Sequence, residues 1–564
     1  MESWKEKAEA KQKSILAKIP AQWHLPEAMC AMPTTPDGPY LNVTTDAFMG
    51  EAGLSLREIT VTSKTSIPEI LANYEAQEVS AEELVTTFCH RAAISHQTTE
   101  CLAEIRFAEA IAEAKAQDEY RRVHKKLVGP LHGIPVSLKD QFRVEGLESA
   151  ISYIGWLGKF ETAETESLIT KQVKELGGII IGKVNSESPG RVPSLLNTNA
   201  LIDACSANSA LGRIAVQPAP SGNEPPQPPA VARRKLRWRG SSARMPRLRD
   251  RDGDRHGRSL SGKPVVPPVP GPMSASLDNV IHLAQSVLGN TEAWRRDPGL
   301  VPLRWRAPVL DLVRADAATP EKGLCFAAFP GAGDDGVMRL HPPVARGVAM
   351  AVRAAREARH RVIDWQPPSH VEGAIIYGGL RFPTTYDNED ALKSSGEPMI
   401  GAVEAMLRPT EKYRPKNMGE YYELVKKMKK YQEDYADYWE FTKALTGTGR
   451  PVDGIIAPVA ATAAVHHNSA YAFSYAIVYN VLDYSILTVP VIFADKNIDV
   501  ADPHDAPRSP IDEMSWGPWW PVDDADVYHG APVGVQIVGR RFEEEKVLAL
   551  GEALSSALKA MSVE

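Results

Sequence analysis

The change of hydrophobic period between Leu168 and Ile181 constrains the fold of this chain more than any other stretch. Leu168, Ile169, Val173 and Leu176 recur at helical spacing, so Glu164 to Leu176 reads as a helix with one buried side. Gly177-Gly178 is its stop. Ile179-Ile180-Ile181 follows at once with no alternation, the pattern of a strand buried on both faces. The same logic recurs along the chain. Ser80-Ala81-Glu82-Glu83 reads as a capping box, with Leu84, Val85, Phe88, Cys89 and Ala92 on a buried helical face. Near the C-terminus, Gly454 to Pro458 and Gly534 to Gly539 read as two further buried strands, and Val547, Leu550, Leu554 and Leu558 mark a closing helix. Strands interleaved with helices imply an α/β architecture with a layered sheet.

Composition narrows what such a protein does. A length of 564 residues buries a large core, and 43% apolar with 24% charged residues is ordinary for a globular protein. A net charge of −7 gives no general reason to expect nucleic acid or an anionic membrane as partner. Five scattered cysteines, at 30, 89, 101, 205 and 325, show no paired metal-ligand spacing and read as free thiols of a reducing compartment. The N-terminal MESWKEKAEAKQKSILAKIP fits an exposed amphipathic helix and neither a signal peptide nor a membrane span, so a cytoplasmic location is expected.

One segment breaks the pattern. From about Asp203 to Pro270 no apolar period of either kind is sustained; Pro218 to Ala230 is dense in proline and Arg233 to Arg258 in arginine. Such a segment lacks the apolar surface to offset its ordering entropy and is expected to be disordered. A structureless stretch of this length inside a compact domain conflicts with a simple reading of the chain. The organisation is therefore read as an N-terminal helical and extended region (1–78), a first core part (79–202), the aberrant segment (203–270) and a second core part (271–564).

Gly129 to Asp140, GPLHGIPVSLKD, places Lys139 at the end of a short apolar strand. Desolvation favours a neutral amine, which then serves as a base near neutral pH. The structural alternative is a lysine that points to solvent or pairs with Asp140.

This stretch resembles the lysine motif of the amidase signature family, and the resemblance continues through Gln141 to Gly146. It returns at Gly271 to Asp278, Gly454 to Pro458, Asn480 to Tyr484 and Gly530 to Arg540, and is similar above all to fungal acetamidase-type general amidases. The resemblance implies a large mixed β-sheet with helices on both faces. It also implies hydrolysis of a linear carboxamide to a carboxylate and ammonia, without metal or cofactor, by a Ser-Ser-Lys triad with Lys139 as the base. A small-molecule carboxamide is the implied partner, with no nucleic acid or membrane; a homodimer is compatible with the sequence.

The two serine motifs of the family are missing. The bridging serine belongs in Gly-Gly-Ser-Ser-Gly-Gly-Glu and the nucleophile in an Asp-Ile-Gly-Gly-Ser-like turn, whereas the chain has Arg233 to Gly240 and Asp252 to Ser259. The first stretch is encodable as CGG CGG AAG CTC CGG TGG CGA GGG. Read one base later, the string gives GGC GGA AGC TCC GGT GGC GAG, or Gly-Gly-Ser-Ser-Gly-Gly-Glu. Asp254 to Ser259, as GAC CGA CAT GGG CGG TCC, shifts to Thr-Asp-Met-Gly-Gly. The segment 203–270 is thus read as an out-of-frame translation that leaves Lys139 without its partners and the chain inactive or strongly impaired.

The remaining candidates are weaker. Ser259 sits near the nucleophile's expected place, and Gly240-Ser241-Ser242 superficially resembles the bridging motif, but the flanking arginines, Met245 and Pro246 lack the glycine-rich backbone of an oxyanion hole. Leu195, in Val192-Pro193-Ser194-Leu195-Leu196, resembles a residue whose backbone lines the acyl site. His466 and His467 have no third ligand placed by sequence and read as a solvated or pocket-rim pair. Three readings of function follow: an amidase with a damaged segment, an amidase-fold pseudoenzyme, and, through Arg233 to Arg258, a nucleic-acid-binding patch.

Overall fold

The computed structural model describes residues 3–30, 45–63, 66–151, 153–184, 241–244, 271–274, 276–319, 323–330, 338–381, 386–398, 416–463, 474–500 and 529–561. Within them the chain is α/β, as its alternating periods require. The strands are β1 (Leu102–Ile105), β2 (Pro135–Lys139), β3 (Ile179–Val184), β4 (Ser241–Arg244), β5 (Met273–Ser274), β6 (Cys325–Ala328), β7 (Arg361–Asp364), β8 (Gly454–Pro458), β9 (Ser485–Phe493) and β10 (Pro532–Gly539). The described strands form a three-stranded sheet, β1-β3-β2, and a seven-stranded sheet, β5-β4-β9-β10-β8-β6-β7. Both are mixed: β3 runs parallel to β2 and antiparallel to β1, while β6 is parallel to β7 and β8, and β10 is antiparallel to β8 and β9.

Alternation along the central strands puts helices on both faces. Ile456 of β8, Val535 and Ile537 of β10, and Leu487 and Val489 of β9 share a core with Val547, Leu550 and Leu554 of the closing helix Glu544–Met561. Ile455, Ala457, Val538 and Ile486 face the other way, onto Tyr431, Tyr435 and Trp439 of the helix Met418–Phe441. Residues one apart point to opposite faces, so these near-continuous apolar runs supply two cores at once. No helix among the described residues is long and apolar enough to cross a membrane.

The small sheet holds the lysine motif. All six residues of β3 are buried, and Ile179, Ile180, Ile181 and Val184 share a core with Leu138, Ile134, Leu84, Val85 and Phe88. The helix before β3 is shorter than its apolar spacing predicts: it spans Leu168–Glu175, and Ala163 to Glu166 form a turn. Side chain to backbone bonds outcompete the helix there. Thr165 Oγ1 accepts from the Thr162 N–H at 2.8 Å, and the Glu166 carboxylate accepts from the Glu145 N–H at 3.1 Å. The capping box at Ser80 is half made. Ser80 Oγ accepts from the Glu83 N–H at 3.0 Å, but the Glu83 carboxylate is taken by Arg57 Nε at 2.8 Å, while Asp118 accepts from the N–H groups of Ala81 and Glu82.

Of the segment 203–270, Ser241–Arg244 is described, and it pairs antiparallel with β9 and β5. Main-chain groups make this pairing, so it does not require an apolar sequence. The rest of that segment lies outside the described residues.

The same helical core fixes a pH dependence. His96, in the last turn of the helix Ala81–Thr99, is buried, and its Nδ1 accepts from the Leu102 N–H at 3.1 Å, which requires a neutral ring. Burial lowers its pKa from 6.5 to about 4. Above pH 6.5 folded and unfolded chains are both neutral at this ring. As pH falls, the unfolded chain takes a proton that the folded one refuses until about pH 4, so stability drops through that window by up to about 3 kcal/mol. Urea midpoints at pH 7.5 and 4.5 should show the fall, and His96→Asn should remove that share of it.

Candidate active site around Lys139

β2 reaches its end through a turn that only glycine allows. Gly133 has φ +67°, and a Cβ there would meet Tyr74 Oη at 2.7 Å and the Ala81 Cβ at 2.8 Å. The turn is tied on several sides: Gly133 N–H donates to Gly177 O at 3.1 Å and to Gln117 Oε1 at 2.7 Å, and its carbonyl accepts from Tyr74 Oη at 3.1 Å. Gly133→Ala is therefore expected to destabilise the fold by about 3 kcal/mol, the left-handed backbone and the overpacking adding together. A shift of the urea midpoint measures it. His132 beside it is buried, with Nδ1 accepting from the Val128 N–H at 3.2 Å; burial pushes its pKa down, Asp118 opposes this in part and Arg121 adds to it.

From this anchored start β2 pairs with β3 in parallel, Leu138 opposite Lys183 and Lys139 opposite Val184. Leu138 and Asp140 lie on one face of the strand, and Lys139 lies on the other, half-buried. The Asp140 N–H continues the ladder to Val184 O at 2.8 Å.

Asp140 is engaged away from Lys139. Its Oδ1 is 2.9 Å from Lys183 Nζ, and its Oδ2 accepts from the Ile151 N–H at 2.6 Å. Lys183, fully buried, also donates to the Glu148 carbonyl at 2.5 Å and to Ser149 Oγ at 2.9 Å. Ile151 carries φ +48°, an unusual conformation for a β-branched residue, held where its N–H meets the carboxylate. Among the described residues no hydrogen bond or ion pair reaches the Lys139 ammonium, so the alternative in which Lys139 pairs with its neighbour Asp140 does not hold.

The N-terminal helix Trp4–Leu16 closes one side of this network. Lys11 Nζ lies 2.6 Å from Glu148 Oε2 and also pairs with Glu104; Lys18 reaches Glu104 at 3.1 Å. Burial works against the Lys11 ammonium, but Glu104 first and then Glu148 more than offset it and raise its pKa. Ala8 and Ile15 are buried on the inner face of this helix, which is thus packed rather than merely exposed.

Lys183, Ser149 and Glu148 are the residues that sequence reasoning missed. The signal was a lysine within an otherwise apolar strand, since a charge buried on both sides demands a carboxylate. Ser259, Leu195, His466 and His467 lie outside the described residues. Among the described residues no cluster of three histidine, cysteine, aspartate or glutamate side chains could hold a metal ion.

The family profile described as Amidase matches residues 83–194 and 257–548. The chain belongs to the amidase family. Within it, the chain is 32% identical over 581 residues to an acetamidase of Aspergillus oryzae, covering 99% of both chains. To an acetamidase of Emericella nidulans it is 31% identical over 575 residues, covering 99% of this chain and 98% of that one. Among solved structures, fatty acid amide hydrolase superposes with a TM-score of 0.77 at 22% identity, covering 98% of this chain and 94% of that one. That likeness is one of fold. The expectation of a mixed sheet between helical layers is thereby met by fold and by family, and the family match resumes at residue 257, ahead of the Gly271 at which the sequence motifs return.

Proposed function

We propose that this site is the base side of a carboxamide hydrolase, releasing ammonia and a carboxylate from a small linear amide. Lys139 is its base, in a Ser-Ser-Lys triad whose serines it would deprotonate. The observation that carries the reading is the condition of Lys139: half-buried at a strand end, beside an aspartate already neutralised by Lys183. An amine without a counter-ion is the state that accepts a proton from a hydroxyl. Membership of the amidase family and two relatives named acetamidase support the substrate class.

The chain as translated holds one member of that triad. Neither Gly-Gly-Ser-Ser-Gly-Gly-Glu nor Asp-Ile-Gly-Gly-Ser occurs in it, and residues 195–256, between the two matched blocks, fall in the interval where the bridging serine is expected. Both facts support an out-of-frame stretch within 203–270, ending before the match resumes at residue 257, and an inactive or strongly impaired product. Free thiols at Cys30, Cys89, Cys101 and Cys325 support a cytoplasmic setting. Acetamide hydrolysis by this chain and by a frame-restored version is the test. Equal, Lys139-dependent activity in both would refute the damaged segment, and no activity in either would refute the amidase reading.

A further inference from the structure

Two lysines sit near the shared end of β2 and β3 in opposite circumstances. Lys183 is fully buried and meets Asp140 Oδ1 at 2.9 Å, Ser149 Oγ at 2.9 Å and the Glu148 carbonyl at 2.5 Å. Three donors and three acceptors saturate the ammonium. The second oxygen of Asp140 is closed off by the Ile151 N–H at 2.6 Å. Lys139, adjacent to Asp140 in the chain, has no partner among the described residues. Stability does not explain the pair, because apolar residues of similar volume commonly replace a buried ion pair without loss.

We infer that Lys183 is a positioning residue for the base: it holds the Asp140 carboxylate on the far face of β2 and so keeps that counter-ion from the Lys139 amine. The register builds this separation in. Lys183 aligns with Leu138, so Asp140, two residues past the aligned position of Leu138's face, is presented to Lys183, while Lys139 is presented to the other side. Without the Lys183 charge, Asp140 would be a buried, uncompensated carboxylate one residue from Lys139. Lys139 is then the neighbouring cation to neutralise it, and an ammonium held in that way does not take a proton from a hydroxyl. The inference rests on Lys139 being the base, but its test does not need catalysis.

The test is competitive acetylation of the full-length protein by acetic anhydride at pH 8, read by peptide mass spectrometry at Lys139 relative to the exposed Lys427. Lys183→Met should lower Lys139 labelling about tenfold, the equivalent of one unit of proton affinity. The double variant Lys183→Met/Asp140→Asn should return it to the wild-type rate. Asp140→Asn alone, which leaves the Lys183 charge uncompensated, should label faster than wild type, and it decides the matter if Lys183→Met does not fold. Unchanged labelling in folded Lys183→Met, a double variant that stays slow, or an Asp140→Asn rate at or below wild type would each overturn the inference. Labelling requires neither serine nor substrate. Expected labelling together with an inert frame-restored protein would therefore overturn the proposed function and leave this assignment standing.

Discussion

A frame-restored protein is expected to hydrolyse acetamide on the order of 10^5-fold faster than the chain as translated, with the gain in kcat. The size follows from the unit behaviour of a triad. Removing the nucleophile of a serine hydrolase costs roughly as much as removing all its partners, on the order of 10^6 in kcat, because the remaining groups have nothing to activate. On the proposed function, the glycine-rich turns that would carry both serines are absent from the sequence, and the oxyanion donors expected on those turns are absent with them. Lys139→Ala in the restored protein should then remove about 10^2- to 10^4-fold, the usual share of a general base. In the chain as translated the same substitution should change nothing measurable. A steady-state assay of ammonia release on the four proteins gives the comparison, and sequencing the transcript across 203–270 gives its cause; an mRNA that encodes the segment as written rejects the frame explanation.

The second large effect is structural. Lys11→Met is expected to destabilise the fold by about 3–5 kcal/mol, because it strips the cation from two carboxylates that are themselves buried. Glu104 and Glu148 side chains are 2% and 8% exposed. Lys18, 42% exposed, stays with Glu104 and compensates in part. Glu148 is left with the N–H of Gly158. The disturbance should centre on the turn that follows β2, since the Glu148 carbonyl is also an acceptor of Lys183. Hydrogen exchange should therefore accelerate at Gly158 and Ile151 before it does in β8 or β10. Uniform acceleration across the protein would show that the helix Trp4–Leu16 stabilises globally rather than through this contact.

Much of the fold was legible because the apolar runs are long and their periods clean. Ile179-Ile180-Ile181 was readable as a fully buried strand and Val547 to Leu558 as a helix face without any tertiary information. What failed was decided by polar side chains with partners distant in sequence. Glu83 left its cap for Arg57, and Glu166 gave its carboxylate to the Glu145 N–H and Lys174 instead of starting a helix. At the site, Lys139 was readable from its motif, and its alternative partner Asp140 was the reasonable guess from spacing. The resolution of that alternative lies 43 positions along the chain from Asp140, in Lys183, and a parallel register that only the fold supplies brings the two together.

β4 carries a consequence for how such a chain is judged. Ser242, Ala243 and Arg244 pair with Thr488, Leu487 and Ile486 of β9. Without β4 and β5, that side of β9 would present a row of unpaired N–H and C=O groups, a template for a partner strand free of proline. The bonds that close the sheet at β4 run between main-chain groups, and they place little demand on which side chains stand there.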